Sequence, residues 1–399
     1  MATKVYVAIS ATSRTGDAVT GGEGATYAAT FANMSSALSD ATYGPRDLAT
    51  LDEQQIYEIF LDVSPLDEQI DMFGYSGSWV VTASTNVILR AEANSKHDGT
   101  PFNGVELTGG SPVEEYGLSM PDYSLLEDVN YDGAGKYSSG IKVQPDSTIR
   151  RCIIKGRSQG INIEGPDRIT VESCIIRDTP TKGLYFSLSS GSKVHNTIIY
   201  NSDIDVRYND VEFINCVAVD SEFDTSDITA SSSNNASTDT SATAASPGGG
   251  DIINLDASAA FTDHLSYDFT LAAGSPLEGS GFDLSSTSIR DITGQLFEVP
   301  FPMGIFQPGE FTVPVELSNV PLGTEVRIFD NDSNAELVGV ESSAASPVVL
   351  DMPYPGVPVN TRIVLLNMNY RYQVLTTEIG PNGLSFPVTL ARDRVYKNP

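Results

Sequence analysis

Cysteine, histidine and basic side chains are all scarce in this chain of 399 residues. Three cysteines do not make a disulfide scaffold, and an odd number leaves one unpaired. The three histidines, His97, His195 and His264, stand far apart, and none joins a Ser-His-Asp or Cys-His arrangement. Basic residues number 23 against 52 acidic ones, a net charge of −29. Such a surface repels phosphate backbones and argues against nucleic acid as a partner. No run approaches the roughly 18 apolar residues of a membrane span, which argues against membrane insertion. The opening MATKVYVAISATSRTG has no long apolar run of the secretory kind. GSPVEEYG and GGEGATY lack the spacing and the lysine of a phosphate loop. The expectation is a soluble chain, made in a cytoplasm and large enough for two or three domains.

What is present is repetition. Ile149, Val171, Val194 and Phe213 each stand three residues before Cys152, Cys174, Thr197 and Cys216, and the last four are 22, 23 and 19 residues apart. After the first three comes a second short strand: GINI from Gly160, GLYF from Gly183, DIDV from Asp203. GIKV from Gly140, GVEL from Gly104 and LEDVNY from Leu126 fit the same frame upstream. The strands alternate: Ile161 and Ile163 point one way and Asn162 and Glu164 the other, as do Ile204 and Val206 against Asp203, Asp205 and Arg207. β-branched residues at period two, broken by Gly and Asn, disfavour helix. Strands at a period of roughly 20 residues that cannot cover their own faces stack on copies of themselves, which makes a parallel β-solenoid. The Cys/Thr column is then a core ladder, and Asn196 and Asn215 sit at coil corners, where each can bond to a neighbouring coil's backbone.

Around this region the pattern loosens. Tyr27–Ala41 reads as a helix capping the first coil within an N-terminal segment 1–50, and residues 108–124 as an insertion between coils. The solenoid spans 51–310. Within it, 221–250 is rich in Ser, Thr and Ala and reads as a flexible excursion, after which short strands resume. From Phe311 to the end, longer alternating strands with polar turns read as a compact antiparallel β-sandwich.

The pattern VESCIIRDTPTKGLYF…KVHNTIIYNSDIDV resembles the right-handed parallel β-helix of the pectate-lyase type, and DFTLAAGSPLEGSG, then DITG and GIFQ, is similar to the final coil of many bacterial and viral β-helix proteins. Together these cover most of residues 50–310. GTEVRIFDNDSNAELVGVESS, RIVLLNMNYRY and the terminal DRVYKNP resemble a small C-terminal Ig-like β module on virion proteins of tailed phages. The resemblance implies an all-β particle protein.

Candidate chemistry is sparse. The cysteines are not spaced in the close pairs that a metal site favours, and in-register parallel strands orient thiols poorly for a disulfide. They read as core. Asp203, Asp205 and Arg207, with Asp210, Glu164 and Tyr185 nearby, are the best local match to the acidic residues and base of a polysaccharide lyase or hydrolase. The polygalacturonase signatures that the resemblance would bring (Asn-Thr-Asp, Asp-Asp, Gly-His-Gly, Arg-Ile-Lys) are absent. The proposed register makes Glu106, Lys142, Asn162, Tyr185 and Asp205 one outward column, mostly polar and with one aromatic platform. His195 faces outward beside Asn196. DNDSN at Asp330–Asn334 has oxygens for Ca²⁺ but reads better as a hairpin turn. No catalytic residue, metal or cofactor is therefore assigned.

These readings lead to an expected structural, non-enzymatic protein of a tailed-phage virion. It would be a capsid decoration or a spike or fibre, most simply a homotrimer, docked on other capsid or tail proteins and assembled in the host cytoplasm. The alternative is a tailspike-like receptor-binding protein or polysaccharide depolymerase acting on host surface glycan.

Overall fold

The computed structural model describes residues 3–11, 27–67, 70–72, 79–92, 95–97, 104–108, 116–133, 139–156, 158–164, 168–187, 191–207, 210–225, 228–287, 289–294, 296–297 and 301–306, and within the C-terminal part 311–318, 320, 324–331, 336–341, 348–354, 359–366, 373–379 and 384–387. The chain divides into two compact units, Met1–Gln307 and Pro308–Pro399.

The first unit is a parallel β-solenoid. Among the described residues three sheets of nine, seven and seven strands form its faces, and successive turns of chain visit them in a fixed order. Thr170–Glu172 lies on face 1, Ile175–Arg177 on face 2 and Lys182–Ser187 on face 3. The register is the one read from the repeat. Leu126, Ile149, Val171, Val194 and Phe213 pair in sequence down face 1, and Ile154, Ile176, Ile199 and Ala218 down face 2. Cys152, Cys174, Thr197 and Cys216 stack inside the corner between the two faces and are wholly buried. Phe186, Phe213 and Phe223 stack edge to face inside the coil, with centroids 6.2 and 5.9 Å apart.

The same corner explains the polar residue ahead of each core residue. Asp128, Arg151, Ser173, Asn196, Asn215 and Asn234 all adopt positive φ, between 48° and 61°. A left-handed residue turns the chain through the corner, and Asn and Asp tolerate that conformation best.

Several expectations need correcting here. Thr3–Ile9 already pairs along its length with Glu53–Ile59, so the stack begins before residue 51. Tyr27–Phe31 is a strand on Thr3–Ile9. Only Met34–Ser39 is helical, capped by Asn33 Oδ1, which accepts from the Ser36 N–H at 2.8 Å. Tyr27, Thr30 and Phe31 suit a strand better than a helix, and tertiary pairing overrides the apolar spacing. Tyr116–Ser119, inside the expected insertion, is a rung of face 3 paired with Ser139–Lys142. The stretch expected to leave the coil supplies further rungs. Ile228 bridges Val211, Ser233 bridges Ile214, and Ala236–Ser237 pairs with Val217–Ala218. Its ladder consists of Ser and Asn side chains, so no apolar period marks it.

Beyond Asp251 the chain returns along the outside of faces 1 and 2. Ile153, Ile175, Ile198 and Val217 point outward on face 2, yet each is 0–2% exposed, because Phe261, Phe269, Leu271, Leu277, Met303 and Ile305 cover them. Ile214 on face 1 is covered in the same way by Leu284, Ile289, Phe297 and Phe301. The corner residues hold this segment. Ser173 Oγ donates to the Arg290 carbonyl at 2.5 Å, Asn196 Nδ2 to Gly304 at 3.2 Å and Asn234 Nδ2 to Ser280 at 2.9 Å. Asn215 Nδ2 donates to the Phe282 carbonyl at 3.0 Å, and its Oδ1 accepts the Phe282 N–H at 2.6 Å. Asn196 and Asn215 thus bond to the returning segment, where the sequence had suggested a neighbouring coil.

The second unit is also all β. Phe311–Ser318 pairs antiparallel with Val348–Tyr354 and parallel with Leu384–Pro387. Glu325–Asp330 pairs antiparallel with both Glu336–Glu341 and Val359–Leu366, and Gln373–Ile379 completes that sheet. Val326 and Ile328 are buried and Arg327 between them is exposed, the alternation expected of a strand covered on one side.

Candidate functional site

Face 3 presents the outward column in which candidate chemistry was expected. Asp71, Ser119, Lys142, Asn162, Tyr185, Asp205 and Asp224 occupy successive register positions. Glu106 is not among them. It pairs with Asn130 on face 2, and the Gly-led apolar pattern that suggested otherwise is shared by both faces. Lys142 Nζ lies 4.7 Å from the Tyr116 ring centre, and Asn162 Nδ2 donates to the Tyr116 hydroxyl at 3.4 Å. Arg207 lies over the Tyr185 ring at 5.7 Å. Tyr116, paired with Ser139 and three residues before Ser119, thus sets a second aromatic beside the column, which alternation counted from the later coils did not reveal.

The three candidate residues separate. Asp205 is 1% exposed, and cations hold both its oxygens: Arg207 Nε at 3.0 Å on Oδ1, and Arg207 Nη2 at 2.9 Å and Lys182 Nζ at 3.7 Å on Oδ2. A carboxylate clamped in this way is an acceptor with fixed partners. Asp203 is exposed and lies elsewhere, at the corner between faces 2 and 3, where its Oδ1 accepts the Glu222 N–H at 3.3 Å. There it borders a cleft of about 290 Å³ with Asp178 and Asp220. Asp210 is exposed, and the side chain of Glu164 lies outside the described residues. The structure brings Asp205, Arg207 and Tyr185 together and leaves Asp203 apart from them.

The remaining candidates resolve simply. Cys152, Cys174 and Cys216 are free and buried. Burial pushes the Cys216 thiol up to about 12 and the Cys152 thiol in the same direction. His195 lies on the outer side of face 1, as expected, but is only 4% exposed and bonds to Glu212 Oε1 at 3.0 Å. The hydrogen bond from His195 holds the Glu212 carboxyl down to about 2. His97 is buried against the Arg151 carbonyl at 2.7 Å. Asp330–Asn334 joins two antiparallel partner strands, and Asp332–Asn334 lie outside the described residues, as does the terminal DRVYKNP. Among the described residues no group of three or more His, Cys, Asp or Glu is placed to hold a metal ion, and no helix is long and apolar enough to cross a membrane.

Comparison with known proteins agrees with the regular coils. A family model described as a right handed beta helix region matches residues 94–242. The matched span takes in His97, the ladder residues and the Ala236–Ser237 rung, and the fold there is a right-handed parallel β-helix. Neither the curated proteins nor the solved structures compared give a match.

Proposed function

We propose, from the right-handed β-helix as premise, that this chain is a non-enzymatic structural protein of a tailed-phage virion. It acts as a capsid decoration or as a spike or fibre. One observation carries the reading: the outer sides of faces 1 and 2 are closed by the chain's own returning segment, which is bonded to the corner column at Ser173, Asn196, Asn215 and Asn234. A solenoid whose lateral apolar strands are already covered is a stiff body suited to bearing load or display. The C-terminal unit, read as an Ig-like sandwich, supplies the docking or trimer contact, in line with the resemblance of its motifs to modules on phage particles. Both oxygens of Asp205 are held by cations and Asp203 lies apart, which supports a structural role for face 3.

Mass spectrometry of purified virions is the direct test, and absence of this chain from the particle rejects the reading. Light scattering should give about three times the chain mass of 42.6 kDa. The tailspike-like alternative draws on Tyr185, paired with Asp205, and on Tyr116, bonded to Asn162 further along the same face, as a sugar-facing strip. Chain shortening of host capsule or lipopolysaccharide by the purified protein, abolished by Asp205→Ala, would establish that alternative.

A further inference from the structure

A cavity of about 830 Å³ lies between face 1 and the returning segment. Its lining carries five cationic side chains, Arg90, Lys96, Arg150, Arg151 and Arg290, against three carboxylates, Glu127, Asp128 and Glu172. In a chain of net charge −29, this lining has a surplus of two positive charges (5 − 3), or one once Glu58 behind Arg90 is included.

The carboxylates do not serve all the cations. Arg90 lies 2.6 Å from Glu58 and 3.4 Å from Glu127, and Arg151 lies 2.8 Å from Glu127 and 2.7 Å from Asp128. Arg150 commits its Nε to Glu127 at 2.7 Å, and its two terminal nitrogens have no partner among the described residues. Lys96 and Arg290 have no carboxylate partner there. Each donates to one backbone carbonyl of the returning segment: Lys96 Nζ to Thr293 at 3.0 Å, and Arg290 Nη1 to Gly294 at 2.8 Å. Three cationic heads with spare donors therefore line one cavity, with the hydroxyl-bearing Thr148, Thr170 and Thr287 also in its wall.

The geometry points to a binding site for a small oxyanion ligand, a sugar or organic acid bearing carboxylate or phosphate. Arg150, Arg290 and Lys96 would take its oxygens, and the threonines its hydroxyls. The volume falls within the roughly 300–1,000 Å³ of small-molecule sites. Guanidinium forks match carboxylate and phosphate geometry. A long polyanion would extend past the cavity into the field of a chain of net charge −29, so the site selects a short one.

The test is calorimetric titration of the full chain at low salt, where charge effects are least screened. The probes are inorganic phosphate, citrate and trigalacturonate, with neutral maltotriose as the control. Saturable binding of at least one anion is expected, and none of maltotriose. Phosphate alone would identify a phosphate ligand; citrate or trigalacturonate would identify a carboxylate one. The Lys96→Gln/Arg290→Gln double variant should bind about tenfold or more weakly. Lys193→Gln, at a side chain 53% exposed beside Glu212, should leave affinity unchanged. In the unaltered protein, the anion that binds should also slow acetylation of Lys96, read by mass spectrometry. No saturable binding up to ~10 mM of any anion, or binding that leaves Lys96 acetylation unchanged, overturns the proposal.

Discussion

Asn235→Ala probes the stretch whose composition reads as an excursion and whose backbone lies in the coil. Asn235 is wholly buried. Its Oδ1 accepts the Cys216 N–H at 2.9 Å, and its Nδ2 donates to the Phe213 carbonyl at 3.0 Å and the Ala245 carbonyl at 2.7 Å. The side chain thus ties three segments of the final turns together. Alanine removes these bonds and a fourth, from Nδ2 to Ser246 Oγ at 3.2 Å; it leaves the buried Cys216 N–H and Ala245 carbonyl without their partner, while the Phe213 carbonyl keeps the Ser233 N–H at 3.0 Å. At about 0.5–1.5 kcal/mol net per bond, with unsatisfied buried groups adding to it, the cost is about 3–4 kcal/mol. The same substitution in a solvated loop would cost no more than about 0.5 kcal/mol. A chain of two units need not unfold in one step, so a global melt is the wrong assay. Native-state hydrogen exchange resolves local opening. The Cys216 amide, and the Ala236 amide that donates to the Cys216 carbonyl at 2.9 Å, should exchange on the order of a hundredfold faster in the variant. Unchanged protection at both amides would refute the argument that this Ser/Thr/Ala stretch is a rung of the solenoid.

Ile198→Ala should cost about 2–4 kcal/mol by urea denaturation of the first unit, because Ile198 is wholly buried although it points away from the coil axis. A cost under ~0.5 kcal/mol would mean that the returning segment does not cover face 2. All three thiols should resist a thiol reagent at pH 8 until denaturant is added, since burial raises Cys152 and Cys216 and suppresses their thiolates; fast labelling of the native protein would contradict the ladder. The Glu212 carboxyl titrates lower in the folded chain, at about 2, than when unfolded, so its stabilisation is present above about pH 4.5 and is lost as pH falls toward 2. Burial pushes Glu127 up, but Arg150 and Arg151 more than offset it, and Glu127 adds to the same acid loss. Partial exposure of Glu212 screens the effect to about 1 kcal/mol, so Glu212→Gln should flatten the fall in urea midpoint between pH 5 and pH 2.5 by that amount, and an identical fall in both proteins would count against the His195 pairing.

The β-helix was legible because its inward residues repeat in kind as well as in spacing. An intact column of Ile149, Val171, Val194 and Phe213, three residues ahead of a small buried side chain, leaves little freedom in register. The final turns were illegible for the opposite reason. Ser232, Asn235 and Ser246 fill ladder positions through hydrogen bonds to backbone, and such residues also populate loops. The candidate site was half legible. Alternation correctly put Asp205, Arg207 and Tyr185 on one outward strip, but it could not show that Lys182 also reaches Asp205, or that Asp203 turns away at the corner.

The returning segment could have been anticipated from the triplet itself. In Cys-Ile-Ile the second isoleucine points inward, as Ile154, Ile176 and Ile199 do. Alternation then sends the first one outward, and a face with no second layer would carry a polar residue there, as face 3 does with Lys142, Asn162 and Asp205. Four successive coils instead place Ile153, Ile175, Ile198 and Val217 at that position. Two apolar residues in a row on a short strand mean that both sides of the strand are buried. One side is the solenoid core. The other needs a second layer, and the chain had to supply it from residues not already in the stack. The apolar positions Phe261, Phe269, Leu271 and Leu277, set among turn residues with no coil period, are that layer.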